Sequence, residues 1–191
     1  MAGGGVLAYL TNWYYAVPFG ILALFCLYFF RDPEREVPCG DVAVSPADGK
    51  VVVVRPENGG QRISIFLNVF DVHVNRTPIP GRVVDIRYRE GQFLVASKEE
   101  ASHSNEQNTI TVEGTVAGKA THIEFKQIAG LIARRIVCYK KPGDTLRAGE
   151  RVGLIKFGSR VDVQLGPEWE VAVRVGQRVS AGSSVIARIK S

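Results

Sequence analysis

A chain of 191 residues that is 46% hydrophobic and 23% charged can form one domain with a sizeable core, and its composition excludes a disordered protein. The net charge of +5 comes from 24 Lys+Arg against 19 Asp+Glu, and no charged side chain precedes Arg31, so the whole surplus lies on residues 31–191. The basic residues are scattered and lack an aromatic-rich binding signature, which argues against a nucleic-acid partner. A basic body beside an apolar end suits an anionic membrane surface, where each nearby Lys or Arg contributes about 1 kcal/mol. The same charge also fits a solvated surface with no partner.

In chain order, residues 6–30 carry no charge and are rich in Leu, Val, Ala, Phe, Tyr and Trp. A bilayer span needs about 20 apolar residues, so residues 1–30 are expected to form a membrane-associating segment with an N-terminal hydrophobic helix. Trp13, Tyr14 and Tyr15 suit an interface. A cleavable signal peptide fits poorly, because no basic region precedes the apolar run. Pro18 and Gly20 divide it, leaving a tilted span and a re-entrant segment both open. The run stops at Arg31-Asp32-Pro33, and Arg31 and Arg35 place the body on the cytoplasmic side of the cell membrane. Cys26, Cys39 and Cys138 follow no metal spacing and form no disulfide framework, in keeping with a reducing compartment.

Residues 31–191 are expected to form a β-rich body. Residues 51–54, 63–67, 82–86, 109–112 and 121–125 are short β-branched or alternating runs punctuated by Gly, Pro, Asn and Asp, the grammar of a sandwich or barrel. Residues 128–137 are ambiguous and admit a helix. A hairpin repeat follows: Gly143-Asp144-Thr145-Leu146-Arg147-Ala148-Gly149 returns as Gly176-Gln177-Arg178-Val179-Ser180-Ala181-Gly182. Its glycines suit turns with positive φ.

The segment Leu154-Ile155-Lys156-Phe157-Gly158-Ser159-Arg160-Val161-Asp162-Val163 reaches a Gly-Ser pair from an apolar run and resumes as alternating residues, so Ser159 is expected at a sharp break between strands. Together with Ser45-Pro46-Ala47-Asp48-Gly49-Lys50-Val51 and Asn68-Val69-Phe70-Asp71-Val72-His73-Val74-Asn75-Arg76, it resembles the short-form phosphatidylserine decarboxylases, pyruvoyl enzymes made as inactive proenzymes. Three motifs occur in the family's order, and the resemblance covers nearly the whole chain.

The resemblance implies that Ser159 attacks the carbonyl of Gly158, that the chain divides into a large part (1–158) and a small part (159–191) held as a heterodimer, and that Ser159 becomes a covalent pyruvoyl group. That group, with no metal, is the cofactor expected. It would condense with the amine of phosphatidylserine and release phosphatidylethanolamine. The resemblance assigns His73 as the base of self-cleavage and Asp48 as its orienting carboxylate, with Asp71 the competitor because residues two apart on a strand share a face. Long-form relatives place a histidine where this chain has Phe70, so the proton donor in decarboxylation is left unassigned. Asn105 and Glu106 resemble a pair in the relatives, and Lys156 and Arg160 flank the scissile bond; these four are candidate substrate contacts. His103 and His122 read as loop and structural histidines. Alternatives are a membrane-anchored serine hydrolase or peptidase, a carrier-like β module, and a decarboxylase of a related lipid such as archaetidylserine. A higher oligomer is open.

Overall fold

The computed structural model describes residues 3, 5, 6, 9, 13–131, 135–156 and 158–190. It divides into two units, Met1–Pro33 and Glu34–Ser191. The first contains helix α1, Trp13–Phe29, with Pro18 inside it. Phe19, Ile21, Leu22, Leu24 and Leu27 are all exposed, so the helix is apolar on every side. The helix end is closed by Arg31, whose Nη1 donates to the Tyr28 carbonyl at 2.9 Å while its guanidinium lies 3.9 Å over the Tyr28 ring. Among the described residues no helix is long and apolar enough to cross a membrane. The expected spanning helix is therefore not found: α1 has 17 residues, short of the about 20 that a bilayer core demands.

The second unit is almost entirely antiparallel β. An eight-stranded sheet curls as a half-barrel in the order β13-β2-β3-β11-β7-β6-β5-β9. Its strands are β2 (Gly49–Glu57), β3 (Gly60–Leu67), β5 (Gly81–Arg89), β6 (Gln107–Val116), β7 (Lys119–Ala129), β9 (Thr145–Leu146), β11 (Ser159–Leu165) and β13 (Arg178–Val179). Two three-stranded sheets flank it: β1 (Val42–Val44), β14 (Val185–Ile189) and β12 (Trp169–Val171), and β4 (Val74–Arg76), β10 (Arg151–Ile155) and β8 (Ile136–Cys138). All the runs anticipated as strands lie within β2, β3, β5, β6 and β7. Where a helix was admitted, residues 128–129 close β7 and 136–137 open β8, while 132–134 lie outside the described residues.

The core follows from alternation. Ile63, Ile65 and Leu67 of β3, Val161, Val163 and Leu165 of β11, and Ile123 and Phe125 of β7 share one face and are all fully buried. Each such side chain contributes about 1.5–3 kcal/mol. The two copies of the repeat share a backbone pattern but neither closes a hairpin: β9 lies between Gly143 (φ +100°) and Gly149 (φ +70°) and pairs with β5, and β13 lies between Gly176 (φ +92°) and Gly182 (φ +76°) and pairs with β2.

Strand ends place the chemistry. Ser159 opens the central strand β11, opposite Leu67 at the end of β3 and Ala129 at the end of β7. At this same end β2 begins, with Lys50 opposite Phe66 and Arg178. The loops entering β2, leaving β3 and entering β11 therefore converge, and they carry the three motifs singled out in the sequence.

Candidate active site

Ser159 is fully buried, and its Oγ has no hydrogen-bond partner among the described residues. Leaving a hydroxyl dry and unsatisfied costs about 1–3 kcal/mol, so the position is retained against stability. The preceding residue, Gly158, has φ +54°, a left-handed conformation that a side chain would strain. Gly130 makes the second close approach: a Cβ there would lie 2.1 Å from the Gly158 carbonyl oxygen. Two glycines thus bring the end of β7 directly against the carbonyl that Ser159 follows. Gly130→Ala is expected to push the Gly158 carbonyl away and slow any reaction at that carbonyl by about 100-fold, read as the rate at which full-length chain is lost.

His73 is buried immediately before β4, and its carbonyl accepts from Ile155 N–H at 3.3 Å, which fixes it beside the last residue of β10. Its Nδ1 lies 2.9 Å from the Asp71 carbonyl oxygen. A carbonyl can only accept, so Nδ1 carries a proton, and in the neutral imidazole the lone pair is on Nε2, the tautomer that a base requires.

The contact on Nδ1 is thus the Asp71 backbone carbonyl. Asp48 is engaged elsewhere: Oδ1 accepts from Ala181 N–H at 2.8 Å, and Arg35 Nη2 lies 2.9 Å from Oδ2. Burial pushes its carboxyl above the ordinary range, against the pull of the Ala181 N–H and Arg35. Asp48 ties the loop entering β2 to the second hairpin repeat. The Asp71 carboxylate closes its own turn, accepting from Asn68 N–H at 2.9 Å and from Arg178 Nη1 at 2.9 Å.

The four candidate substrate contacts separate. Arg160 is fully buried and bonded to Asp162 and Ser64, which takes it out of reach of a ligand arriving from solvent. Asn105 is also fully buried; its Oδ1 accepts from Leu94 N–H, and its Nδ2 donates to the carbonyls of Leu94 and Ala129. It pins the 92–105 loop to the end of β7 and has no amide group left for a substrate. Glu106 receives the Tyr88 hydroxyl, whose pKa is raised chiefly by that hydrogen bond. Lys156 is half-buried two residues before Gly158, with its N–H donating to the Arg135 carbonyl at 3.3 Å. Phe70 is 63% exposed. His122 and His103 are exposed surface residues.

Sequence reasoning missed Gly130 and a buried amide chain. Gln127 Nε2 donates to Asn75 Oδ1 at 2.9 Å, and Asn108 Nδ2 donates to Gln127 Oε1 at 3.0 Å. Asn75 sits two residues after His73, and its Nδ2 is buried with no hydrogen-bond partner among the described residues. Polar residues on an otherwise apolar strand face were the available clue. A surface hollow of about 890 Å³ lies at the opposite end of the sheet beside Glu113 and His122, away from this chemistry. Among the described residues no group of His, Cys, Asp and Glu converges as a metal site.

Fold and site together define an antiparallel β protein with a buried, unsatisfied serine hydroxyl opening its central strand and a buried histidine fixed to the end of β10. The model of the phosphatidylserine decarboxylase family matches residues 22–187. Relatives named phosphatidylserine decarboxylase proenzyme include one from Solibacter usitatus, 66% identical over 98% of this chain and 90% of the relative. Others come from Ruegeria pomeroyi, 47% identical over 88% and 81%, and Oleidesulfovibrio alaskensis, 48% identical over 97% and 87%. No solved structure matches the chain. The chain belongs to the phosphatidylserine decarboxylase family.

Proposed function

We propose that this chain is a proenzyme that cuts itself between Gly158 and Ser159 and then decarboxylates phosphatidylserine to phosphatidylethanolamine. The observation that carries the reading is the Ser159 hydroxyl, dry and partnerless, directly after a carbonyl held by Gly130. A hydrolase would have to present its serine to a molecule from outside, whereas a fully buried serine is placed to attack its own backbone.

His73 Nε2 takes the Oγ proton as Oγ bonds to the Gly158 carbonyl carbon. The Gly158–Ser159 C–N bond then breaks, and the same proton passes to the departing nitrogen, leaving an ester. Loss of the residue 159 Cα proton breaks the Cβ–Oγ bond. Gly158 leaves as a carboxylate and residue 159 remains as dehydroalanine. Water converts that residue to a ketone and releases its nitrogen as ammonia.

The resulting pyruvoyl group supplies a carbonyl that accepts the electron pair freed when a serine headgroup loses carbon dioxide. Residue 159 suits it, because both neighbouring strands hold the position and Gly158 imposes no side chain. Lys156 brings a positive charge to the approach used by an anionic headgroup. The two products would remain one heterodimer, since β11 pairs with β3 and β7 of the larger part.

The apolar surface of α1 and the basic body suit attachment to the cytoplasmic face of the cell membrane. Deleting residues 1–30 is expected to lower partition onto anionic vesicles at least about 100-fold in a flotation assay. Unchanged flotation would assign attachment to the body. Denaturing mass spectrometry tests the central reading. Two fragments are expected, 1–158 and 159–191, the smaller without an α-amino group. A full-length chain with its hydroxyl intact in an active preparation would overturn it. Assay against phosphatidylserine and archaetidylserine headgroups on matched tails then fixes the lipid class.

A further inference from the structure

Self-cleavage changes the backbone at one position only. Before it, residue 159 is held by its bond to Gly158 and by ladders to Leu67 and Ala129. After it, the bond is gone and the nitrogen has left, so residue 159 has no N–H to donate. The reactive carbonyl must then be held from its C-terminal side, by the β11 ladder with β3 and β7 and, first among the side chains, by Arg160.

Arg160 is fully buried. Nε donates to Asp162 Oδ1 at 2.6 Å, Nη2 to Ser64 Oγ at 2.8 Å and to Glu99 Oε2 at 3.2 Å, and Nη1 to the Lys98 carbonyl at 3.2 Å. Asp162 in turn accepts from the Ser102 hydroxyl and from Arg62 Nη1, which lies 3.3 Å away. Arg62 also pairs with Glu99. Burial would raise the Glu99 carboxyl, but its bonds to Arg62 and Arg160 hold it below the ordinary carboxylate range. Arg55 and Glu57 pair with Glu99 and Arg62 as well, so three cations and three anions balance. Of the partners, only Asp162 lies in 159–191; residues 62, 64, 98, 99 and 102 all belong to 1–158. Buried ion pairs add little net stability, but a planar fork with several fixed acceptors defines position closely.

We propose that Arg160 is a positioning residue of the mature enzyme, anchoring the electrophile-bearing end of the small chain to the large chain once their covalent link is lost. This rests on the self-cleavage reading above. In the uncut precursor the Gly158 bond holds residue 159 as well, so the anchor is redundant there; in the cut enzyme it is not.

The test uses the full chain carrying Arg160→Lys, Arg160→Met or the milder Ser64→Ala, which keeps the question answerable if Arg160→Met fails to fold. Amide hydrogen exchange at residues 160–162 is compared between the cut form and an uncut Ser159→Ala chain with the same substitution. Exchange is expected to rise about tenfold in the cut form and to stay near the parent in the uncut one. Processing should still reach two chains by mass spectrometry. The kcat for phosphatidylserine should fall about 10-fold or more with KM within about twofold. Equal exchange in cut and uncut chains, or an unchanged kcat in a fully cut variant, would overturn the anchor while leaving self-cleavage standing. A parent protein that never divides would overturn both, and its own mass spectrum would show it.

Discussion

Ser159→Ala is expected to purify as one full-length chain with its decarboxylase activity lowered at least about 10⁴-fold, since no other group can take over a covalent nucleophile. The fold should survive. The parent hydroxyl is buried and unpartnered, so replacing it removes an unsatisfied polar atom, and the melting temperature should hold or rise. Activity lost together with stability would point to a packing role instead. Ser159→Cys separates the steps further: a thiol can make the same attack, and breaking Cβ–S yields the same dehydroalanine. A slow appearance of the normal small-chain mass is therefore expected. Division of the Ser159→Ala chain at Gly158 would remove the serine from the chemistry.

The strands were legible because a β face with period two must bury alternate residues, and Ile63, Ile65 and Leu67 or Val161, Val163 and Leu165 write that period directly. The place of Ser159 was legible for the same reason, since the alternation restarts there. What local pattern could not supply was the cover on the second face. Arg160, a candidate substrate contact by sequence, and Asp162 alternate with buried valines, yet the segment around Lys98–Ser102 closes over them. Asn105 read as a site residue because Asn105-Glu106 resembles a pair in the relatives, and its amide here replaces strand hydrogen bonds for a loop. Gly130 carries no chemistry of its own; its meaning appears only when the end of β7 and the Gly158 carbonyl lie side by side. For α1, a long charge-free run suggested a span, and the described helix is shorter than the run.

The second large effect concerns the base. His73→Ala is expected to slow division of the chain about 10³-fold, because general-base assistance contributes about 10²–10⁴. The comparison that decides the orienting role is Asp48→Asn. Were the Asp48 carboxylate the group that sets the imidazole tautomer, removing its charge would cost nearly as much as removing the histidine, as in a serine triad. The hydrogen bond on Nδ1 instead comes from the Asp71 carbonyl, which Asp48→Asn and Asp71→Asn both leave in place. Each should therefore retain processing within about tenfold of the parent, with Asp48→Asn acting through the weakened tie to Arg35 and Ala181. Time courses of precursor loss for the three variants, followed by intact mass, measure this. If Asp48→Asn stalls as completely as His73→Ala while keeping its melting temperature, the carboxylate must swing to the imidazole during the reaction, and the backbone contact seen here belongs to the resting precursor alone.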